Sequence, residues 1–150
     1  MMDDSSVDGD ELRAALQTID RINWLLGSFR PILRFVQDNL PSGLSRVFVA
    51  DIGAGSGALG EYLRNNLDQT VHYIPVEPSR SVLSATTHPV NHRTIQARCP
   101  GLPLPSDSMD FCVSSLVLHH VPDDLKQSFL EESMEVARRG VIHHDLLRNR

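Results

Sequence analysis

The chain has only two cysteines, Cys99 and Cys112. Their spacing suits neither a metal site nor a redox pair, so two free thiols in a reducing, cytoplasmic setting are expected. No run of lysine or arginine occurs, and the formal net charge is −5. That argues against a nucleic-acid partner, which wants a basic face. The first eight residues are acidic and polar, with no basic segment leading into an apolar one, so they do not read as a secretory leader. No apolar run approaches the length of a membrane span. What remains is an ordinary globular composition, 41% hydrophobic and 22% charged, in 150 residues. That length suggests one domain, able to bury a core but short for a complete α/β enzyme.

The most informative stretch is Val47-Phe-Val-Ala-Asp51-Ile-Gly53-Ala-Gly55-Ser-Gly57-Ala-Leu-Gly60. An apolar run ends in an acid, three alternating glycines follow, and a helical pattern begins at Leu59, Tyr62, Leu63 and Leu67. This reads as a strand, a tight turn and a helix start. Glycines admit positive φ and a close ligand, and the helix N-terminus offers unpaired N–H groups. A nucleotide-like ligand is therefore expected on the turn. The dinucleotide pattern G-x-G-x-x-G/A fits in two registers, Gly53-Gly55-Ala58 and Gly55-Gly57-Gly60, and is weak alone. Asp51 weighs against it, because a carboxylate there would face an anionic pyrophosphate. A ligand with a cationic end suits Asp51 better, and S-adenosylmethionine carries an ammonium and a sulfonium.

Strands alternate with helices along the rest of the chain. Residues 1–9 read as disordered. A helix carries Leu12, Ala15, Leu16, Ile19, Ile22 and Leu26 and stops at Gly27. A second opens at Pro31 and ends near Pro41. These two form an N-terminal helical cap over 10–40, serving either as a lid or as packing on the sheet. A second strand, Val71–Val76, contains Pro75 and so an expected irregularity. A short helix over Ser79–Thr86 leads to a third strand, Arg93–Ala97, then a proline-rich loop and a fourth strand, Met109–Ser115. Asp123 is placed as the cap of a helix that Arg138-Arg139-Gly140 closes. Val141–Leu146 is the fifth strand. The expected fold is α/β, a Rossmann-like, doubly wound, mainly parallel sheet. Tyr73 and Trp24 read as packing residues.

The Asp51–Gly57 motif resembles the first motif of class I S-adenosylmethionine-dependent methyltransferases. Leu102-Pro-Leu-Pro, Asp110-Phe and Leu118-His-His-Val resemble the later strands of their small-molecule members. The resemblance spans about residues 10–150, a single domain whose core starts at residue 46. It implies S-adenosylmethionine as cofactor, held by Asp51, Gly53, Gly55, Gly57, Glu77, Arg98, Cys99 and Ser115. Glu77 lies 20 residues after Gly57, where an acid can accept from both ribose hydroxyls. Arg98 departs from the family, which usually has an aspartate facing the adenine amino group. Arginine cannot accept a hydrogen bond, so backbone near Arg98 and Cys99, or arginine stacking, would take that role.

His119 and His120 follow the fourth strand, where one could serve as general base on an acceptor hydroxyl or phenol. The alternative is that one packs and the other faces solvent. Adjacent residues on a strand point to opposite faces, so His143-His144 offers one ligand at most and no metal site is expected. The implied function is methyl transfer to a small organic acceptor, on an oxygen of a quinone-, polyketide- or lipid-like molecule. A nicotinamide-dependent oxidoreductase and a non-catalytic binding or interaction module are the rival readings. The chain stops just after its fifth strand, where the resembled fold continues. The last strands of that fold are thus expected to be absent, leaving the fifth strand as an edge open to self-association or a partner.

Overall fold

A computed structural model describes residues 9–86 and 94–145. The N-terminal helices are α1 (Gly9–Leu25) and α2 (Arg30–Asn39). Then follow β1 (Arg46–Ile52), α3 (Ala58–Asn66), β2 (Thr70–Val76), α4 (Arg80–Ala85), β3 (Met109–Ser115), α5 (Lys126–Val136) and β4 (Ala137–His144). The four strands form one sheet in the order β2-β1-β3-β4, and every pairing is parallel. The doubly wound, Rossmann-like arrangement expected from the alternation is therefore present.

Period-2 alternation in the strands sends side chains to two cores. On one face, Ile32 and Val36 of α2 and Leu59 and Leu63 of α3 pack over Val47, Val49, Phe111 and Val113. On the other, Phe129 and Val136 of α5 cover Ala50, Val76 and Cys112. A smaller cluster joins α1 to α4 through Leu12, Leu16, Val82 and Ala85. The two N-terminal helices thus differ: α2 is a packing element of the sheet, whereas α1 lies against α4.

Several boundaries differ from the sequence reading. Among the described residues the third strand is a single parallel bridge, Val76 to Ile95; its first residue, Arg93, lies outside them. Only Ile95 and Ala97 of its described part are apolar, and exposed Gln96 turns its amide to the Pro78 carbonyl at 3.5 Å. Pro75 causes no irregularity, since β2 stays in register with β1 through Asp51–Pro75. Its carbonyl accepts from Ile95 N, so the position that lacks an N–H faces the sheet edge, where proline is tolerated.

The last helix ends at Val136, and Arg138, Arg139 and Gly140 belong to β4. The two arginines are held sideways against the neighbouring strand rather than at a helix end. Arg139 Nε lies 2.8 Å from Asp110 Oδ1, and Arg138 Nη2 lies 3.2 Å from the Ser108 carbonyl. Gly140 admits Phe35, whose Cζ would sit 2.8 Å from an added Cβ. Asp123 opens a 3-10 turn, Asp123–Leu125, instead of capping the α-helix. Gly9, grouped with the disordered start, begins α1; residues 1–8 lie outside the described residues, as do Leu146 and the residues after it. Trp24 is 70% exposed at the end of α1 and is not a packing residue. No helix among the described residues is long and apolar enough to cross a membrane.

Candidate functional site

Ligands of open α/β sheets bind beyond the carboxyl ends of the strands. Here that edge gathers the turn after β1, Glu77 after β2, and the residues after β3 and β4. The turn is built on glycines for a conformational reason. Gly53, Gly55 and Gly57 have φ of 71°, 55° and 82°, a region costly to residues with a Cβ. The Gly53 and Ala54 amides donate to the Val76 carbonyl at 2.7 and 3.1 Å, tying the turn to β2. A Cβ at Gly55 would meet nothing within 4 Å, so the turn has an open side at that position.

Asp51, at the end of β1, is 3% exposed. Burial raises its pKa to about 7; the hydrogen bond from the Tyr73 hydroxyl lowers it, and the nearby Glu77 charge raises it further. Burial and the Asp51 charge also hold the Tyr73 phenol well above its usual value. Tyr73 is a core residue, as expected, but its hydroxyl role was missed. The signal was topological. Tyr73 pairs with Val49, two residues before Asp51, a diagonal that a long side chain can span. Gly60 leaves room for its ring, since a Cβ there would lie 2.5 Å from Tyr73 Cδ1.

Glu77 is buried and holds two backbone segments together. Oε2 accepts from Gly55 N at 3.0 Å, and Oε1 accepts from Ser79 N at 2.9 Å. A carboxylate has about four acceptor positions, and these bonds use two of them. Helix α1 reaches the same turn: Ser56 Oγ donates to Asp20 Oδ1 at 2.7 Å. No local pattern marks this contact, because its partners lie on separate elements 36 residues apart.

The other predicted residues differ in their surroundings. Arg98 is exposed. Cys99 is turned toward α5, its thiol donating to Glu132 Oε2 at 3.2 Å, and burial first pushes its pKa up. Burial likewise pushes the Cys112 thiol up to about 12. Ser115 ends β3 with its Oγ buried and unpartnered. His119 and His120 lie on a 3-10 turn, Leu118–His120, with ring centroids 3.9 Å apart. His120 is exposed, whereas His119 is held by Asp145, a residue the sequence did not single out. His143 is placed apart from them: Ser114 Oγ lies 2.7 Å from its Nδ1, and its ring packs on Phe129. Burial lowers its pKa to about 4.

A glycine turn with an open side, a desolvated carboxylate and a second acid on the next strand lie together at the carboxyl edge of the sheet, the place where open α/β domains take nucleotide ligands. A family model described as a methyltransferase domain matches residues 50–143, and the chain belongs to this family, the class I S-adenosylmethionine-dependent methyltransferases. An uncharacterised methyltransferase of Mycobacteroides abscessus is 36% identical over 100 residues, covering 61% of this chain and 36% of that protein. A provisionally assigned methyltransferase from an antibiotic biosynthesis pathway of Anabaena variabilis is similar in structure. It has a TM-score of 0.57 and 28% identity over 80% of this chain and 48% of that one. A methyltransferase-like protein of Haloferax volcanii, solved in complex with the Trm112 methyltransferase activator, shares the fold. Its TM-score is 0.64 at 18% identity, covering 85% of this chain and 53% of that one. The chain thus spans roughly a third to a half of the length of these relatives.

S-adenosylmethionine is the cofactor of the family, and the residues present fit it. The open side at Gly55 leaves space for a ligand against the backbone. Among the described residues the causes acting on the raised Asp51 carboxyl include no positive neighbour, which an ammonium would supply.

Proposed function

We propose that this chain binds S-adenosylmethionine on the Gly53–Gly57 turn and transfers its methyl group to a small organic acceptor, at an oxygen of a quinone-, polyketide- or lipid-like molecule. The observation that carries this reading is the buried Asp51 carboxyl beside three left-handed glycines at the mouth of a parallel sheet. Asp51 would face the cationic amino-acid end of the cofactor and Glu77 the ribose hydroxyls. Backbone near Arg98 and Cys99 would face the adenine, because the arginine side chain carries donors only. Ser115 would line the methyl-bearing end, where its buried hydroxyl has no protein partner. When bound, the sulfonium supplies an already activated methyl group. The chain's own residues then need only align the acceptor, exclude water and accept a proton, a role assigned to His119 or His120. Two free thiols support a cytoplasmic setting.

Thermal unfolding tests the reading. S-adenosylhomocysteine should raise the melting temperature, with a stabilisation of about 2.7 kcal/mol at a hundredfold excess over its Kd. NAD should leave it unchanged. A shift with NAD alone would instead support the oxidoreductase reading and end this one.

The outer edge of β4 has no strand partner among the described residues. An edge without a strand partner templates pairing through its N–H and C=O groups. We infer that the 150-residue chain associates with itself through β4; the Haloferax complex makes a protein partner the other reading. Sedimentation should show mass rising with concentration. A monodisperse monomer across the range would contradict the inference.

A further inference from the structure

The geometry points to Asp145 as the positioning residue that makes His119 a proton acceptor of the site. The inference rests on the methyl-transfer reading and narrows its acceptor to a molecule whose nucleophile must lose a proton. The carboxylate of Asp145, just after β4, grips the turn after β3 at two points. Oδ2 accepts from the His119 backbone N at 2.8 Å, and Oδ1 lies 2.7 Å from His119 Nδ1. One residue earlier, the His144 carbonyl accepts from Leu116 N at 2.8 Å. The end of β4 therefore holds the turn at both backbone and side chain.

The turn is strained where it is held. Leu116 has φ of 60°, a left-handed conformation unfavourable for leucine. Such outliers persist where the surroundings over-determine them, and they cluster at functional sites. Here the bonds from His144 and Asp145 provide that determination. Their common result is one orientation of the His119 ring.

A carboxylate can only accept, so it selects the imidazole tautomer with the proton on Nδ1. The lone pair is then on Nε2, which has no partner among the described residues. In the step this permits, the O–H bond of the acceptor breaks, its electron pair stays on oxygen, and the proton passes to Nε2. The carboxylate stabilises the imidazolium that results. The exposed ring of His120 packs on that of His119, with centroids 3.9 Å apart. His143 cannot serve, because its Nε2 is enclosed without a partner.

Long-range proton–nitrogen NMR of the histidine rings in the full chain, at a pH where imidazole is neutral, reads the tautomer without any acceptor. His119 in the unmodified protein should carry its proton on Nδ1. In Asp145→Ala the ring should change to the Nε2-protonated form that free imidazole favours. In Asp145→Asn, whose single oxygen cannot serve both donors, a mixture should appear. An Nε2-protonated His119 in the unmodified chain, or an unchanged Nδ1 proton in both variants, would overturn the inference. The Kd for S-adenosylhomocysteine should stay within threefold in Asp145→Ala. A larger loss would show that Asp145 shapes the cofactor site rather than one ring. An Nδ1 proton in a chain that fails to bind S-adenosylhomocysteine would sink the methyl-transfer reading and leave the positioning role standing.

Discussion

Asp51→Asn is expected to make the ligand-free protein more stable at pH 8 while removing cofactor binding. The folded pKa of Asp51 is about 7, against 3.8 for the free group. Its contribution to stability is fully present below the unfolded value and is lost as pH rises through the folded one. Above pH 7 the ionised carboxylate is buried without a cation, at a cost of roughly 2–4 kcal/mol. Asparagine has nearly the same shape, keeps an oxygen for the Tyr73 hydroxyl, and does not ionise. The gain should shrink toward zero as pH falls to 4. His143 has the opposite slope: its folded pKa is about 4 against 6.5, so its contribution rises with pH across that window. Subtracting wild type from variant in urea unfolding at each pH isolates Asp51. A variant less stable than wild type at pH 8, or a gain independent of pH, would refute the electrostatic account. Stability gained by deleting a binding group is the usual mark of a functional site.

Gly53→Ala is expected to cost both stability and binding. Its φ of 71° is strained for alanine, at about 1–2 kcal/mol. Its Cβ would also lie 2.5 Å from Val117 Cγ2, and such overpacking adds about 1–3 kcal/mol. Val117 directly precedes the 3-10 turn of His119, so the clash displaces the acceptor side of the site as well as the cofactor side. Loss of S-adenosylhomocysteine binding with a melting temperature lower by several degrees is the expected result. Near-normal binding would mean that the turn is not shaped for a ligand. Gly55→Ala, at the open side, should by contrast meet no clash: it should carry only the strain of its φ of 55°, about 1–2 kcal/mol, and still lose binding through the ligand.

The sequence carried the site's skeleton because its signals were local. The β1–glycine–α3 unit, Glu77 after β2 and the histidines after β3 are each legible from a few consecutive residues. Contacts between distant elements were not. The Tyr73 hydroxyl on Asp51, Asp20 on Ser56 and Asp145 on His119 all depend on register or on how helices dock. The same reason explains the misplaced end of α5. Arg138-Arg139-Gly140 has the composition of a helix terminus, but Asp110 on β3 and the Phe35 ring draw those residues into β4. The third strand, as far as it is described, forms one bridge for a local reason: Ile95 and Ala97 are its only apolar residues there.

Amide hydrogen exchange with and without S-adenosylhomocysteine tests the central claim most directly. The account predicts added protection over Gly53–Gly57 and Glu77–Ser79, with the cavity of about 470 Å³ between α1 and α4 unchanged. Protection confined to that cavity, or none at saturating ligand, would contradict it.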